Sequence, residues 1–349
     1  MEEKRYLILA EGFSGDPHYG KTARGILHYS PHPTVAVLDS TRAGETMDGT
    51  PVVATLDDAL LLGPTTAVVG VATQGGRFPP AWRALLKRCV EAGLDIESGL
   101  HEFLADDEEL SRLAREHGVE LRDLRRPPDG LNVPTGANLE VDATIVLTVG
   151  SDCAIGKKTV AVELDREARR RGIPSMFCPT GQTGIAIAGW GIAVDAVVAD
   201  FLAGAAESIV VEGAERGGKL LFVEGQGSLV HPLYSGVTLG LLHGAAPHAL
   251  VLCHRAGDTE IEGCPGHPIP PLSALVGLHE LVSLPARKAT VVAVALNTSQ
   301  MDDADARRAV EEAARETGLA CDDPVRFGAA RLLDAVLGAV GERWPTSSS

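Results

Sequence analysis

The chain has 349 residues, more than a single hydrophobic core usually serves, so two domains are expected. Hydrophobic residues make up 45% and charged residues 22%, which is the balance of an ordinary globular protein and excludes a disordered chain. The formal net charge of -16 repels polyanions, so we expect no nucleic-acid partner.

The N-terminus and the cysteines both indicate a cytoplasmic protein. The first apolar stretch is only about six residues long, too short for a signal peptide or a membrane span. The six cysteines lie far apart without a CxxC pair, which is typical of thiols in a reducing compartment. We therefore predict no disulfide and no membrane partner.

Short apolar runs alternate with helical patterns in the first half of the chain, in the order of βαβ units. That order predicts a small parallel sheet covered by helices. The predicted strands are 6–10, 35–38, 67–72 and 94–96, and the predicted helices are 22–28, 80–92 and 107–117.

The pattern stops between residues 125 and 140, where Pro, Gly and Asn are concentrated. After this break a continuous apolar run predicts a strand buried on both faces of a second parallel sheet. The fold class is therefore α/β, with a small Rossmann-like N-terminal domain and a larger P-loop NTPase-like C-terminal domain. The predicted segments are an N-terminal domain over 1–126, a linker over 127–142, a C-terminal domain over 143–349, and strands at 143–149, 175–178, 220–223, 249–253 and 290–296.

Two stretches resemble a phosphate-binding Walker A loop. Residues 15–22 fit G-x-x-x-x-G-K-T to the letter, but the helix that follows is short, and Pro17 removes one N–H donor. For residues 15–22, a ligand-binding loop and a plain strand-to-helix turn are equally open interpretations. Residues 150–159 depart slightly from the motif, yet a buried strand precedes them and a long amphipathic helix follows, which is the context that phosphate binding needs.

We predict phosphate binding at the second loop. Its glycines let the backbone approach the ligand, and Lys157 supplies positive charge to the terminal oxygens. Lys158 stands where the magnesium-binding hydroxyl is usual, so Thr159 is its nearest substitute. The predicted cofactor-binding residues are Gly150, Ser151, Asp152, Cys153, Ala154, Ile155, Gly156, Lys157, Lys158 and Thr159, together with Asn297 at the end of a later strand, whose amide could read a purine.

Glu224 follows the apolar run 220–223 and precedes a glycine-rich turn. Carboxylates at strand ends gather at the ligand edge of an open α/β sheet, so Glu224 is a candidate general base or a water-mediated magnesium ligand. His231, shortly afterwards, is either a proton carrier or a hydrogen-bonded structural histidine. The predicted catalytic residues are Lys157, Glu224 and His231.

Polar residues after the strand 175–178 are candidates for substrate binding, although a solvent-facing loop is an alternative there. In the helix-like run AVDAVVADF, Asp195 and Asp200 should lie on different faces, and Asp195 is the better anchor. The predicted substrate-binding residues are Thr180, Gln182, Thr183, Asp195 and Gln226.

No metal site is predicted, unless magnesium is used through Thr159 and Glu224. Cys264 and His267 have the spacing of half a zinc site, but no second pair completes it. Asp39 ends the second strand, where dinucleotide folds place a ribose-binding acid, yet no GxGxxG precedes it, so NAD is not predicted.

Several motifs together resemble the DgcN-type family of D-glutamate N-acetyltransferase-like P-loop proteins. They are GSDCAIGKKT at Gly150, TGQTGI at Thr180, AVDAVVADF at Ala193, EGQGSLVHPLYSGVTLGLLHG at Glu224 and VAVALNTS near the end. GKTARGILHYS and GLDIESGLHEFLAD in the first half resemble the family's Rossmann-like domain more loosely.

This resemblance implies acetyl transfer from acetyl-CoA to the amine of D-glutamate, with the loop holding phosphates of coenzyme A, and it implies a homo-oligomer. The loop is also similar to that of dethiobiotin synthetase. That similarity leaves open an enzyme that uses ATP with Mg²⁺ to act on a small carboxylate, with Lys157 on the phosphates.

Overall fold

The computed structural model describes residues 4–16, 19–71, 76–79 and 81–341. The chain forms two compact units: Met1–Pro127 with Gln182–Ala196, and Pro128–Gly181 with Val197–Ser349. Some positions of the sequence predictions lie outside the described residues: Pro17 and His18 in the first loop, Ala72 at a strand end, Pro80 at a helix start, and residues 1–3, 73–75 and 342–349 of the predicted domains.

A seven-stranded sheet forms the centre of the first unit. Its order is β3-β4-β2-β1-β5-β6-β7, and every pair is parallel except the antiparallel edge pair β3-β4. Its strands are β1 (Tyr6–Leu9), β2 (Thr34–Leu38), β3 (Thr46–Met47), β4 (Thr50–Val53), β5 (Thr66–Val69), β6 (Asp95–Ser98) and β7 (Leu121–Asp123). Its helices are α1 (Lys21–Tyr29), α2 (Leu56–Leu60), α3 (Trp82–Glu91), α4 (Glu108–His117) and α6 (Gln182–Ala188).

The parallel sheet and its three main helices confirm the predicted α/β organisation. Helix α4 shows why its sequence is helical: the Asp107 carboxylate accepts from the N–H groups of Glu109 and Leu110, and Gly118 ends the helix in a left-handed conformation with φ of 67°. The strands β3, β4 and β7 were not predicted: β3 and β7 have only two and three residues, and β4 contains Pro51, a residue uncommon in strands.

The segment Gln182–Ala196 belongs to the first unit, although the sequence places it inside the predicted C-terminal domain. Its apolar residues Ile185, Ala186 and Ala193 are buried in the same hydrophobic core as β1. The prediction missed this because the partners of these residues lie far away along the chain.

A six-stranded, wholly parallel sheet forms the second unit, in the order β13-β12-β11-β8-β10-β9. Its strands are β8 (Thr144–Gly150), β9 (Ser175–Cys178), β10 (Leu220–Val223), β11 (Ala249–Arg255), β12 (Thr290–Asn297) and β13 (Ala320–Asp322). Its helices are α5 (Lys157–Arg170), α7 (Ala199–Glu215), α8 (Ser235–Ala245), α9 (Leu272–Leu281), α10 (Asp303–Thr317) and α11 (Ala330–Val340).

Burial explains the central strands of this sheet. All seven residues of β8 and all four of β10 are buried, as the continuous apolar runs predict for strands covered on both faces. The two strands are neighbours and end at the same edge. The loop after β8 and Glu224 after β10 therefore meet at one edge of the sheet.

The predicted linker, 127–142, is instead packed on the second unit from Pro128 onward. The buried carboxylate of Glu207 in α7 accepts hydrogen bonds from the N–H of Thr135 at 2.6 Å and of Gly136 at 2.8 Å. A distant helix thus supplies the acceptors that order this proline- and glycine-rich segment.

The run predicted as one helix around Asp195 and Asp200 is divided. Val194–Ala196 forms a 3₁₀ turn in the first unit, and Asp200 lies in the first turn of α7 in the second. Among the described residues, no helix combines the length and the apolar character that crossing a membrane requires.

Candidate functional site

The loop between β8 and α5 has the backbone of an anion cradle. Gly156 precedes α5 with φ of 113°, and Ala154 is also left-handed with φ of 53°. A Cβ at Gly150 would lie 2.7 Å from Cδ1 of Ile155 and 3.3 Å from the carbonyl oxygen of Cys253, so the turn is closely packed there. Helix α5 has no side-chain N-cap and no acidic residue in its first turn. Because the first N–H groups of a helix lack intrahelical acceptors, this end of α5 suits an anion.

Lys157 lies within this loop and is 5% exposed. Its ammonium donates to the backbone carbonyl of Asp152 at 2.5 Å. Burial lowers the pKa of Lys157, and the neighbouring Cys153, Asp152 and Glu224 oppose that effect only in part. The lysine is therefore a buried cation held beside the cradle, where an anionic ligand would stabilise its charge.

Hydrogen bonds within the loop, to β11 and to Glu262 brace the loop. The Oδ2 atom of Asp152 accepts from the N–H of Glu262 at 2.7 Å, and its Oδ1 accepts from the N–H of Cys153 at 2.6 Å. The hydroxyl of Ser151 lies 2.9 Å from Nδ1 of His254 in β11. These three hydrogen bonds fix the first residues of the loop.

Asn297, predicted to contact the cofactor, also braces the loop. Its Nδ2 donates to the carbonyl of Ile155 at 3.3 Å, and its Oδ1 accepts from the N–H of Ser299 at 3.1 Å. Both ends of the amide are engaged by the backbone, so in this arrangement Asn297 shapes the cradle and does not present its amide to a ligand.

Glu224 lies where the sequence predicts, directly after β10. It is 6% exposed, and its Oε2 accepts from the N–H groups of Thr180 and Gly181 at 3.0 and 3.1 Å. The hydroxyl of Thr180 donates to the Glu224 carbonyl at 2.7 Å, and Nε2 of Gln226 donates to the Thr180 carbonyl. The structure therefore brings Thr180, Glu224 and Gln226 together in the second unit.

The backbone after Glu224 passes close to β8. The N–H of Gly225 donates to the Thr148 hydroxyl at 2.9 Å, and a Cβ on Gly225 would lie 1.7 Å from the Thr148 carbonyl oxygen. The close approach of the two backbones requires glycine at this position. The same contact fixes the backbone next to Glu224 and therefore the point from which its side chain extends.

His231 is 3% exposed and lies with its Nε2 3.8 Å from Oδ1 of Asp152. Its Nδ1 accepts from the N–H of Leu233 at 3.2 Å. From this hydrogen bond we infer that the neutral ring carries its proton on Nε2, directed toward Asp152. His231 is therefore arranged as a proton donor, and a proton taken up at Nδ1 would break its contact with Leu233.

The remaining predicted substrate residues, Gln182, Thr183 and Asp195, belong to the first unit. Thr183 and Thr22 share a hydrogen bond between their hydroxyls, 3.0 Å apart. Asp195 forms an ion pair with Arg125, which is nine-tenths buried. The aliphatic part of Gln182 packs on the backbone of Gly99: a Cβ added to Gly99 would lie 2.5 Å from Cγ of Gln182.

Asp39, at the end of β2, is a structural residue of the first unit. Its buried carboxylate accepts from the N–H of Gly12 and from both the N–H and the hydroxyl of Ser14. Burial alone would raise the pKa of Asp39, but hydrogen bonds from Ser14, Thr41 and Gly12 hold it below its usual value. These hydrogen bonds hold the Asp39 carboxylate against the loop that follows β1.

The sequence reasoning missed one grouping. Among the described residues, Asp152, Cys153 and His231 place one potential metal-ligand atom each within 4.8 Å of one another. Asp152 and Cys153 are adjacent in the loop, but His231 follows a different strand, so the adjacency of β8 and β10 creates the cluster. All six cysteines are free thiols, and Cys153 is the one that is not fully buried. Thr159 and Lys158 are half-buried in the first turn of α5.

Comparison with known proteins agrees with this architecture. Residues 132–333 match the family described as "Domain of unknown function (DUF1611_C) P-loop domain", and residues 38–127 match "Domain of unknown function (DUF1611_N) Rossmann-like domain". A crystal structure of a DUF1611 family protein from Anabaena variabilis is similar, with a TM-score of 0.90 and 40% identity, covering 96% of this chain and 99% of that one.

Two named relatives are also similar in sequence. A protein of Tritonibacter scottomollicae named D-glutamate N-acetyltransferase is 36% identical over 337 residues, covering 96% of this chain and 99% of the relative. A protein of the same name from Pseudoalteromonas sp is 36% identical over 272 residues, covering 78% of this chain and 81% of the relative.

Fold and loop thus define a protein with a Rossmann-like domain and a P-loop domain, which confirms the predicted fold class. The chain belongs to the DUF1611 family, which is the P-loop family that the sequence motifs resemble.

Proposed function

We propose that this protein is an N-acetyltransferase that moves the acetyl group of acetyl-CoA to the amine of D-glutamate or a related amino acid. The observation that carries the proposal is the 36% identity, over 96% of the chain, to a relative named D-glutamate N-acetyltransferase. The anion cradle supports it, because both substrates of this reaction are anionic.

Phosphates of coenzyme A are the ligand proposed for the cradle. The N-terminus of α5 has no side-chain cap, and the buried ammonium of Lys157 lies beside it. A phosphate there would accept N–H groups that the helix leaves unpaired and would stabilise a cation that burial disfavours. The lysine would then exchange the Asp152 carbonyl for phosphate oxygens.

Glu224 is the better candidate for the general base. The reaction needs a group that takes a proton from the substrate ammonium, so that the amine can attack the thioester carbonyl. A carbon–nitrogen bond then forms and the carbon–sulfur bond breaks, so that coenzyme A leaves as a thiolate. The attacking nitrogen loses a second proton, which neutralises the thiolate, and the proton taken up by Glu224 is released to solvent. The Glu224 carboxylate directly follows a fully buried strand and is oriented by the N–H groups of Thr180 and Gly181, whereas Nδ1 of His231 already accepts from the N–H of Leu233.

Other residues take supporting roles in this proposal. The Nε2–H of His231 and the ammonium of Lys157 are candidates to stabilise the oxyanion that develops on the thioester oxygen. Thr180 and Gln226, next to Glu224, are candidates to contact the amino acid. Gln182, Thr183 and Asp195 of the first unit stay proposals for substrate binding. A cytoplasmic homo-oligomer, as the family resemblance implies, is part of the same proposal.

The test is an assay of the full chain with acetyl-CoA and D-glutamate, in which free thiol and N-acetylglutamate are measured separately. L-glutamate and D-aspartate define the acceptor. We expect thiol release that depends on the acceptor and equals the acetylated product. If no acetylated amino acid forms with any of the three acceptors, the proposal is wrong.

Matched variants test the two central residues. Lys157→Ala should raise the KM for acetyl-CoA by about 10-fold or more, because a charge-assisted hydrogen bond contributes about 1.5–3 kcal/mol. The exposed Lys288→Ala should leave it unchanged. Glu224→Gln should lower kcat by about 100-fold or more, as expected on loss of a general base, whereas Glu311→Gln on the exposed face of α10 should not.

A second candidate function rests on the strand–loop–helix around Lys157, with Glu224 ending the neighbouring strand. That arrangement also suits a kinase or ligase that uses ATP with Mg²⁺ bound by Thr159 and Glu224. Release of ADP from ATP and Mg²⁺ in the presence of a small carboxylate, without thiol release from acetyl-CoA, would select this function.

A further inference from the structure

The cluster of Asp152, Cys153 and His231 joins a carboxylate, a thiol and an imidazole beside the cradle. Two of the three side chains are almost fully buried, at 1% and 3% exposure. Such a combination is unusual in a protein interior unless the groups bind one another or a common ligand. We propose that these three residues form a binding site for a transition-metal ion of the zinc class, with a fourth coordination position left for a water molecule or an anionic oxygen.

The geometry is close to what a zinc ion needs. Bond lengths of about 2.0–2.3 Å to oxygen, nitrogen and sulfur place the donors of a tetrahedral site about 3.3–3.8 Å apart. Nε2 of His231 and Oδ1 of Asp152 are 3.8 Å apart, and all three donor atoms lie within 4.8 Å of one another.

The carboxylate is already oriented for this role. Asp152 accepts one backbone N–H on each oxygen, from Cys153 and from Glu262, so its position is fixed while each oxygen keeps a second lone pair. Hydrogen bonds of this kind hold the carboxylate ligands of known metal sites in place. One of the two N–H donors belongs to Cys153, which is itself a proposed ligand. The Asp152 carboxylate and the Cys153 backbone are therefore held together in the loop.

His231 needs one change of protonation. A metal bound at Nε2 moves the ring proton to Nδ1, which then loses the hydrogen bond from the N–H of Leu233. A single hydrogen bond between neutral groups is weak compared with a bond between imidazole and a zinc-class ion, so its loss does not prevent metal binding.

The donor types select the metal. Thiolate and imidazole favour zinc and similar ions, whereas magnesium and calcium prefer all-oxygen sites. On binding, the Cys153 thiol loses its proton to solvent, so thiolate and carboxylate together balance the two charges of the ion. The same two anions offset repulsion from the ammonium of Lys157 nearby. Affinity should therefore rise with pH as the thiol becomes easier to deprotonate.

This inference is tested on the protein without substrates, so its outcome does not depend on acetyl transfer. A metal ion on Nε2 of His231 and the Nε2–H proposed above for the oxyanion are alternatives, and the metal-free protein keeps the second. The full chain is stripped of metal with a chelator and titrated with Zn²⁺ in competition with a chromogenic chelator. It is then loaded with Co²⁺, whose bond to a thiolate produces a charge-transfer absorption band. We expect one ion per chain and a thiolate band in the cobalt spectrum.

Three variants remove one ligand each: Asp152→Asn, Cys153→Ser and His231→Gln. Each should weaken Zn²⁺ binding by at least about 10-fold, and Cys153→Ser should also abolish the cobalt–thiolate band. Cys264→Ser and His267→Ala are matched controls that each remove a Cys or a His outside the cluster. Both should keep the affinity and the band.

The outcomes separate clearly. Binding of less than one Zn²⁺ per chain, or a band that persists in Cys153→Ser, overturns the proposal, and loss of the band in Cys264→Ser assigns the metal elsewhere. Alkylation of Cys153 in the wild-type chain, located by peptide mass spectrometry, should remove the band without any substitution, which covers the case in which a variant fails to fold. Acetyl transfer that survives loss of the metal leaves the proposed function intact.

Discussion

Gly225 offers a sharp test of how the strand β8 positions Glu224. The Cβ of an alanine there would lie 1.7 Å from the carbonyl oxygen of Thr148 and 2.7 Å from its carbonyl carbon. Carbon–oxygen contacts are normally at least about 3.3 Å, so the two backbones must separate by about 1.5 Å. The φ of Gly225 is outside the left-handed region, so the effect of Gly225→Ala is steric and owes nothing to backbone strain.

The magnitude follows from two contributions. Forced overpacking costs about 1–3 kcal/mol, and separation of the backbones also breaks the hydrogen bond from the Gly225 N–H to the Thr148 hydroxyl, worth about 1 kcal/mol. The expected loss is about 3 kcal/mol in the free energy of unfolding. With an m-value of about 3 kcal/mol/M in urea, the unfolding midpoint falls by about 1 M.

Gly236→Ala is the matched control, because no atom lies within 4 Å of the added Cβ and the residue is inside α8. Alanine there should stabilise the helix by about 0.5–1 kcal/mol. Urea unfolding of the three proteins, followed by tryptophan fluorescence and circular dichroism, gives the comparison. Equal midpoints for Gly225→Ala and the parent would refute the claim that backbone contact with β8 sets the position of Glu224.

Two further predictions concern charges. Burial lowers the pKa of Lys157 in the folded chain. At pH values between this lowered pKa and the ordinary pKa of lysine, the unfolded chain binds more protons than the folded chain, so the free energy of unfolding rises with pH. Lys157→Met should therefore be more stable than the parent at neutral pH, with the gap narrowing in alkaline buffer; a gap that widens would contradict this. Asp195→Asn removes the partner of the nearly buried Arg125 and should destabilise the chain by about 2 kcal/mol, measured by urea unfolding. Arg88→Ala, which breaks an exposed ion pair, should cost about 0.5 kcal/mol, and equal losses would contradict the buried assignment.

Local patterns in the sequence were sufficient for the scaffold of the site. The apolar run before Gly150 and the amphipathic helix after Gly156 identified the P-loop, because burial on both faces and helical periodicity are properties of consecutive residues. Glu224 was located for the same reason, as the first polar residue after a fully apolar strand. The shortest strands escaped detection because two or three residues show no periodic pattern. The ordered segment before β8 escaped it because the carboxylate that orders it, Glu207, is distant in the chain.

The tertiary structure decided which side chains meet. Parallel pairing of β8 with β10 brings His231 to Asp152 and Cys153, and the hydrogen bond from Leu233 determines which ring nitrogen of His231 carries the proton. The placement of Gln182–Ala196 in the first unit was equally hidden, since it depends on a core that other parts of the chain build. Sequence alone determined the strands, the loop and the candidate residues, whereas strand order and long-range burial determined their neighbours. Contacts between distant residues depend on the packing of whole elements, which no local pattern of residues contains.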